Sequence, residues 1–285
     1  MTVVKIFCGG KVMDMPDAKV ASEVEQWFME AAVVNTMAKT NLVGSGNTPV
    51  YTGNDTECGL LVMANTLGAK GKSLDYASED QPYKDIRRKY PENQEGRKQF
   101  TFSSDRKRMS TRIKVGDKYR IFTKGAAEMV LDLCTKRMMP DGSIETFDTA
   151  ARAEVKKVIS NFADEALRTI CLAYRETDKA VEDVAEAEQD LTMIGLVGIE
   201  DPVRVEVPDA IKDCQDAGIV VRMVTGDNMQ TAAAIAKKCG IIDATSDVSK
   251  AVIDGKTFRE AVAPKGVLDQ AAFEKIGLDI RVMGR

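Results

Sequence analysis

At Glu200, Asp201 and Pro202 the pattern of the sequence changes, and this change constrains the fold more than any other feature. Beyond it, helical periodicity alternates with short apolar runs. Helices are expected at 205–217, 228–239 and 264–275, and strands at 219–224, 251–253 and 279–283. Such alternation specifies a parallel, doubly wound sheet. Before it, strands are expected at 1–7, 99–102, 109–115, 118–123, 169–174 and 191–199. Gly116 and Asp117 join two of them as a hairpin turn. Helices are expected at 23–40, capped by Ser22, and at 57–67, 126–134 and 149–166. Turn residues mark 44–49 as a loop, and the Glu-Ala-rich stretch 181–188 reads as an exposed connection or short helix. Antiparallel strands with helices to one side read as α+β. Pro202 fixes its own φ and restricts Asp201, which suits a strut between domains 1–200 and 201–285.

The chain has 285 residues, enough for two domains. Its 44% hydrophobic and 29% charged residues give an ordinary globular balance. A net charge of −4 supplies no global basic footprint for nucleic acid. No apolar run approaches the roughly 20 residues needed to cross a bilayer, and residues 1–20 carry no secretory pattern. Six cysteines form no CxxC and the chain has no histidine. A zinc site and every Ser-His or Cys-His nucleophile are therefore excluded, and the thiols are expected reduced and mostly buried. Both ends fall inside expected strands, which reads as a piece of a longer protein.

Several runs carry chemistry beside a plainer reading. Phe102, followed by Arg106, Lys107 and Arg108, either stacks a base and attracts phosphate or forms a strand end with a solvated charged turn. Lys124 and Gly125 end a strand. They either floor a ligand pocket, with the glycine allowing close approach, or make an ordinary strand-to-helix turn. Arg168 offers a fork to phosphate oxygens or a salt bridge to Asp164 or Glu165. Glu57 either compensates a helix dipole or accepts a hydrogen bond from an adenine amine. Thr225, Gly226 and Asp227 sit at the carboxyl end of an expected parallel strand, where doubly wound folds bind ligands, although Asp227 or Asn228 equally serves as a helix cap. Two decoys fail. The run 68–73 has Thr66 where a P-loop needs glycine, and Pro49 breaks a GxGxxG match at 44–49.

Taken in order, these pieces resemble the P-type ATPases, most closely the plasma-membrane type of calcium pump. Residues 124–128 (KGAAE) are similar to the family's KGA-x-E adenine-site motif, 201–204 (DPVR) to its DPxR hinge, and 225–227 (TGD) to the second motif of a haloacid-dehalogenase-type phosphorylation domain. The runs 201–241, 56–61 and 1–4 fit the same subgroup. The resemblance implies an α+β nucleotide-binding domain, an antiparallel sheet flanked by helices. A partial α/β haloacid-dehalogenase-like, Rossmann-like domain would follow it. It implies that Phe102 stacks on adenine, Glu57 bonds the adenine edge, Lys107, Lys124 and Gly125 line the pocket, and Arg168 reaches toward phosphates. Thr225, Gly226 and Asp227 would contact the transferred phosphoryl, or Thr225 and Asp227 the nucleotide's far end, Arg204 would act at the hinge, and Arg285 falls where the family has a ribose-contacting arginine.

The family's DKTGT, with its phosphorylated aspartate, and its GDGxND, which helps hold magnesium, are absent from these residues. The implied activity is ATP binding without hydrolysis, inside a pump that uses ATP and Mg2+ to move calcium through an aspartyl phosphate. The implied partners are ATP and the pump's transmembrane and actuator domains, with no nucleic acid. The place is the cytoplasmic face of a membrane, and the piece itself is expected to be a soluble monomer with open sheet edges. Two rivals remain at this stage: a soluble haloacid-dehalogenase-type phosphatase with a large cap, and a non-enzymatic module binding anionic lipid or nucleic acid through its basic surface at 97–124.

Overall fold

A computed structural model describes every residue except 244, 245 and 265. The chain divides into two units, one of residues 1–159 and 169–200, the other of residues 160–168 and 201–285.

The first unit is built on a nine-stranded sheet. Its strands are β1 (Thr2–Cys8), β2 (Lys11–Asp14), β5 (Lys98–Ser103), β6 (Arg108–Val115), β7 (Lys118–Ala126), β8 (Cys134–Met138), β9 (Ile144–Thr146), β10 (Arg168–Thr177) and β11 (Leu191–Glu200). The order is β2-β1-β11-β10-β7-β6-β5, with β8 joined to β11 and β9 to β8. The pairs β1–β2, β1–β11, β7–β10, β6–β7 and β5–β6 are antiparallel, whereas β8 runs parallel to β11. A separate hairpin joins β3 (Asn41–Ser45) to β4 (Thr48–Thr52), so most of the expected loop at 44–49 is strand. Helices α1 (Ser22–Val34), α2 (Asp55–Ala69) and α3 (Pro82–Lys89) flank the sheet, with α4 (Ala127–Leu131), α5 (Thr149–Asp164) and α6 (Val184–Ala187) in later connections.

Local chemistry sets these elements. In α1, Val24, Phe28 and Ala31 recur at helical spacing and are fully buried. Asn54 caps α2 by accepting from the Glu57 amide at 3.0 Å, and Lys70 in the left-handed region ends it. Strand β11 is buried along nearly its whole length, as a central strand requires. A β-carbon on Gly195 would lie 2.2 Å from the Phe7 carbonyl and 2.4 Å from the Phe28 ring, so only glycine lets α1 and β1 close onto β11. The turn at Gly116 and Asp117 is as expected, with Val115 opposite Lys118.

Three expectations are corrected here. The expected helix 126–134 shrinks to the five residues of α4, because Cys134 onward pairs with β11 as β8. The expected helix 23–40 ends at Val34, and Ser22 is its first residue rather than its cap. Stretch 181–188 does hold a short helix, but Val181, Ala187 and Glu188 are buried rather than exposed.

The second unit holds α7 (Val207–Asp216), β12 (Met223–Val224), α8 (Met229–Cys239), α9 (Val248–Ala251), β13 (Val252–Asp254), α10 (Gly255–Val262), α11 (Gln270–Asp279) and β14 (Val282–Gly284). Among the described residues its three strands form a parallel sheet ordered β12-β14-β13. Asn228, Asp247, Asp254 and Asp269 each cap a helix through a side-chain oxygen. The core beside this sheet is small: Ala232, Ala233, Ala236, Ile242, Ala251 and Val282. The expected strand 219–224 is only Met223–Val224, and Ile219, Val220 and Val224 stay exposed, because no described residues cover that apolar run. The expected helix 264–275 includes Lys265, outside the described residues, and the helix observed is Gln270–Asp279.

Candidate functional site

In the first unit, β7 delivers Lys124 into the interior, where Nζ lies 2.9 Å from Glu57 Oε1. Both side chains are at most 7% exposed. The second Glu57 oxygen accepts from the Thr40 hydroxyl at 2.7 Å and from the Met37 amide at 3.2 Å. Burial alone pushes the Glu57 carboxyl up, but the Lys124 charge and the bonds from Lys124, Thr40 and Met37 outweigh it and hold the pKa below the ordinary glutamate value. Burial lowers the Lys124 ammonium, and Glu57 opposes that shift. The two residues read singly from sequence as pocket groups are thus partners in one buried ion pair.

Gly125 follows at the floor of β7. A β-carbon there would meet Arg108 Cβ at 2.4 Å and the Lys107 carbonyl at 2.5 Å. The missing side chain lets the Lys107–Arg108 backbone close onto β7, where Arg108 pairs with Gly125 and the Ala126 amide donates to the Lys107 carbonyl at 3.0 Å. Lys107 itself takes a positive φ of 53°. Phe102 lies on β5, next to Ser103, which pairs with Arg108. Phe102 is 55% exposed, a large apolar surface for a strand residue. Phe102, Lys107, Lys124 and Gly125 therefore occupy adjoining register positions on β5, β6 and β7 or the turn between β5 and β6, with Glu57 bonded to Lys124.

The remaining candidates gather in the second unit. Arg168 forks onto Asp227, with Nε 2.9 Å from Oδ1 and Nη2 3.3 Å from Oδ2, and lies 3.7 Å from Asp201. The Thr225 hydroxyl donates to Asp227 Oδ2 at 2.9 Å, and the Arg285 amide donates to the Asp227 carbonyl at 2.7 Å. Burial raises the Asp227 carboxyl, but Arg168, Thr225 and the Arg285 charge together bring it below the ordinary range. Gly226 is exposed in the turn before α8, which Asn228 rather than Asp227 caps. Arg204 is exposed, and its carbonyl accepts from the Val207 amide at 3.0 Å.

Sequence reasoning missed Glu188. Its buried carboxylate takes Arg106 at 2.5 Å, Arg108 at 2.8 Å and the Ser110 hydroxyl at 2.8 Å. Arg112 and Lys98 meet Glu182, and Arg120 meets Glu30 and Glu176. The basic run that raised the anionic-module rival is therefore mostly neutralised in place. The signal that points to Glu188 is the density of cations at 106–108, whose partial burial a neighbouring carboxylate offsets.

The sequence model of the P-type ATPase cytoplasmic domain N matches residues 23–206, which takes in the whole Glu57–Lys124 site. The chain belongs to the P-type ATPases. It is 44% identical to plasma membrane calcium-transporting ATPase 1 of Gallus gallus over 248 residues, 84% of this chain and 19% of that protein. It is 40% identical to plasma membrane calcium-transporting ATPase 3 of Rattus norvegicus across 100% of this chain and 22% of the relative. Against plasma membrane calcium-transporting ATPase 2 of Oreochromis mossambicus the identity is 40%, covering 100% of this chain and 25% of the relative. The chain thus spans a quarter or less of the length of these P-type ATPases. Its antiparallel sheet with flanking helices is consistent with the N domain of the family. No helix among the described residues is long and apolar enough to cross a membrane.

Proposed function

We propose that this chain is the ATP-binding part of a calcium-transporting P-type ATPase, with the nucleotide held by the first unit. The observation that carries the reading is the convergence of an exposed aromatic, Phe102, with Lys107, Gly125 and the buried Lys124–Glu57 pair on neighbouring strands of a P-type ATPase N domain. An exposed ring offers one face to a base. Lys107 supplies a partly exposed cation for phosphate. Lys124 carries its charge where water screens it poorly, and Glu57, already bonded to it, positions the ammonium and offers its carboxylate toward the adenine edge.

The second unit serves the phosphoryl end in this reading, as the partial haloacid-dehalogenase-like domain. Thr225 and Gly226 present a hydroxyl and an unobstructed backbone for a phosphoryl oxygen. Asp227, held by the Arg168 fork, keeps its carboxylate ionised, and Arg204 and Arg285 add cationic reach. Phosphoryl transfer to an aspartate, the use of Mg2+ and calcium movement belong to the longer pump at the cytoplasmic face of its membrane. This chain binds ATP without hydrolysing it, because its residues include no DKTGT nucleophile.

The test is calorimetric titration with ATP and GTP of the chain, Phe102→Ala and Lys107→Ala, none of whose altered side chains enters an ion pair among the described residues. Stacking on an aromatic is worth about 1–3 kcal/mol, so Phe102→Ala should weaken ATP about five- to hundred-fold. Adenine preference lost with Phe102, without phosphate release, supports the proposal. Binding indifferent to both substitutions contradicts it.

A further inference from the structure

A cleft of about 220 Å³ opens in the first unit beside the end of α1 and the end of α3. Val33, Val34, Ile86 and Pro91 give it apolar walls, and Arg87 and Arg97 bring two guanidiniums to it. Arg87 donates to the Thr40 carbonyl at 2.6 Å, and Arg97 donates to the carbonyls of Tyr90 at 3.0 Å and Val34 at 2.9 Å. Every one of these partners is a neutral oxygen. Arg106, Arg108, Arg112, Arg120 and Arg137 all meet carboxylates, but no carboxylate among the described residues stands at ion-pair distance from Arg87 or Arg97.

Two cations are thus partly buried together with no carboxylate among the described residues at ion-pair distance from either. Burial lowers the pKa of both guanidiniums, and the charge of Arg87 lowers that of Arg97 further. The carboxylate that acts on both is Glu92, an exposed residue of the same cleft. A guanidinium has five donors, and the protein occupies only a minority of them here. The free edges suit the oxygens of a bidentate anion. Two cations favour a phosphate, which carries about −1.5 to −2 charges at neutral pH, over a singly charged carboxylate.

We propose that the Arg87–Arg97 cleft binds a small phosphate-bearing anion, at a site separate from the nucleotide site. The two are joined through one residue. The Thr40 carbonyl accepts from Arg87, while its hydroxyl donates to Glu57, the partner of Lys124. An anion that draws Arg87 inward therefore acts on the residue that holds Glu57.

Titration calorimetry with inorganic phosphate, glycerol phosphate and acetate, on the full chain with saturating ATP present, tests this. Phosphate should bind in the presence of ATP, and more tightly than acetate. Arg97→Gln should weaken it by about tenfold or more, the loss expected when hydrogen bonds to a charged group go. Glu92→Gln removes a competing negative charge from an exposed position and should tighten it. That variant decides the question should Arg97→Gln fail to fold. Failure of phosphate to bind at millimolar concentration, its displacement by ATP, acetate binding as tight as phosphate, or indifference to both substitutions overturns the site. A chain that binds phosphate with this dependence but does not bind ATP would contradict the proposed function and leave the cleft standing.

Discussion

The two units spend their apolar residues differently. The first encloses Phe7, Phe28, Tyr83 and Phe122 at 1% exposure or less, around a central strand that is buried nearly end to end. The second packs its parallel sheet on alanines, one isoleucine and one valine, and leaves Val205 91% and Val224 76% exposed. A large core can hold a costly polar arrangement in place, and the first unit does so with Lys124–Glu57. A small core cannot, and the second unit instead fixes Asp227 with partly exposed groups and secures its helix starts with side-chain caps. The first unit is therefore expected to be the more rigid, and the second to rely more on further contacts.

Removing the ion pair from one side should produce the largest change. Lys124→Ala leaves Glu57 buried and unpaired, a situation that costs about 3–5 kcal/mol. Urea unfolding should show that loss in the first unit, while a Lys124→Met, Glu57→Leu double variant recovers most of it. A single variant within about 1 kcal/mol of the parent would mean that the pair is not held by its surroundings. The same pair gives a pH signature. The folded-state pKa of Glu57 lies below its ordinary 4.5, so the pair's contribution is complete above that value and drains away as pH falls through the folded value. Acid unfolding monitored alongside Glu57→Gln should show the parent losing more stability below pH 4.5 than the variant.

A smaller effect is expected at the caps of the second unit. Asn228 accepts from the Thr231 amide at 2.9 Å, and Asn228→Ala should cost about 1 kcal/mol. Thermal melts should register that loss in the second unit's transition and leave the first unit's unchanged. If both transitions move together, the two units do not unfold separately. Smallest in stability is Val224→Ser at an exposed strand position, expected within about 0.5 kcal/mol of the parent. Its readout is association: light scattering should show less self-association, since exposed apolar surface and open strand edges promote it.

Features set by local chemistry were legible in the sequence. The hairpin at Gly116 and Asp117 follows from two turn residues between strands, and the body of α2 from helical periodicity, while its cap at Asn54 emerged only from the structure. The motifs at 124–128, 201–204 and 225–227 led to the family that the domain match then established. Features set by pairing across the chain were not legible. Glu57 and Lys124 stand 67 positions apart, and no spacing rule joins them. Glu188 sits in a Glu-Ala-rich stretch whose composition reads as solvent-facing, because its burial is decided by Arg106 and Arg108 on other elements. At 219–224 an apolar run of the right length did not become a buried strand, since burial needs a covering element that local pattern does not reveal.

The central claim is that the nucleotide is held by β5, β6 and β7 with Glu57 of α2. Hydrogen exchange of the full chain with and without ATP, followed by mass spectrometry, tests it directly. The account predicts slowed exchange in 98–126 and around 55–58, reduced in Phe102→Ala, with smaller changes in 201–285. Protection confined to 201–285, or none at ATP concentrations that bind, would contradict it.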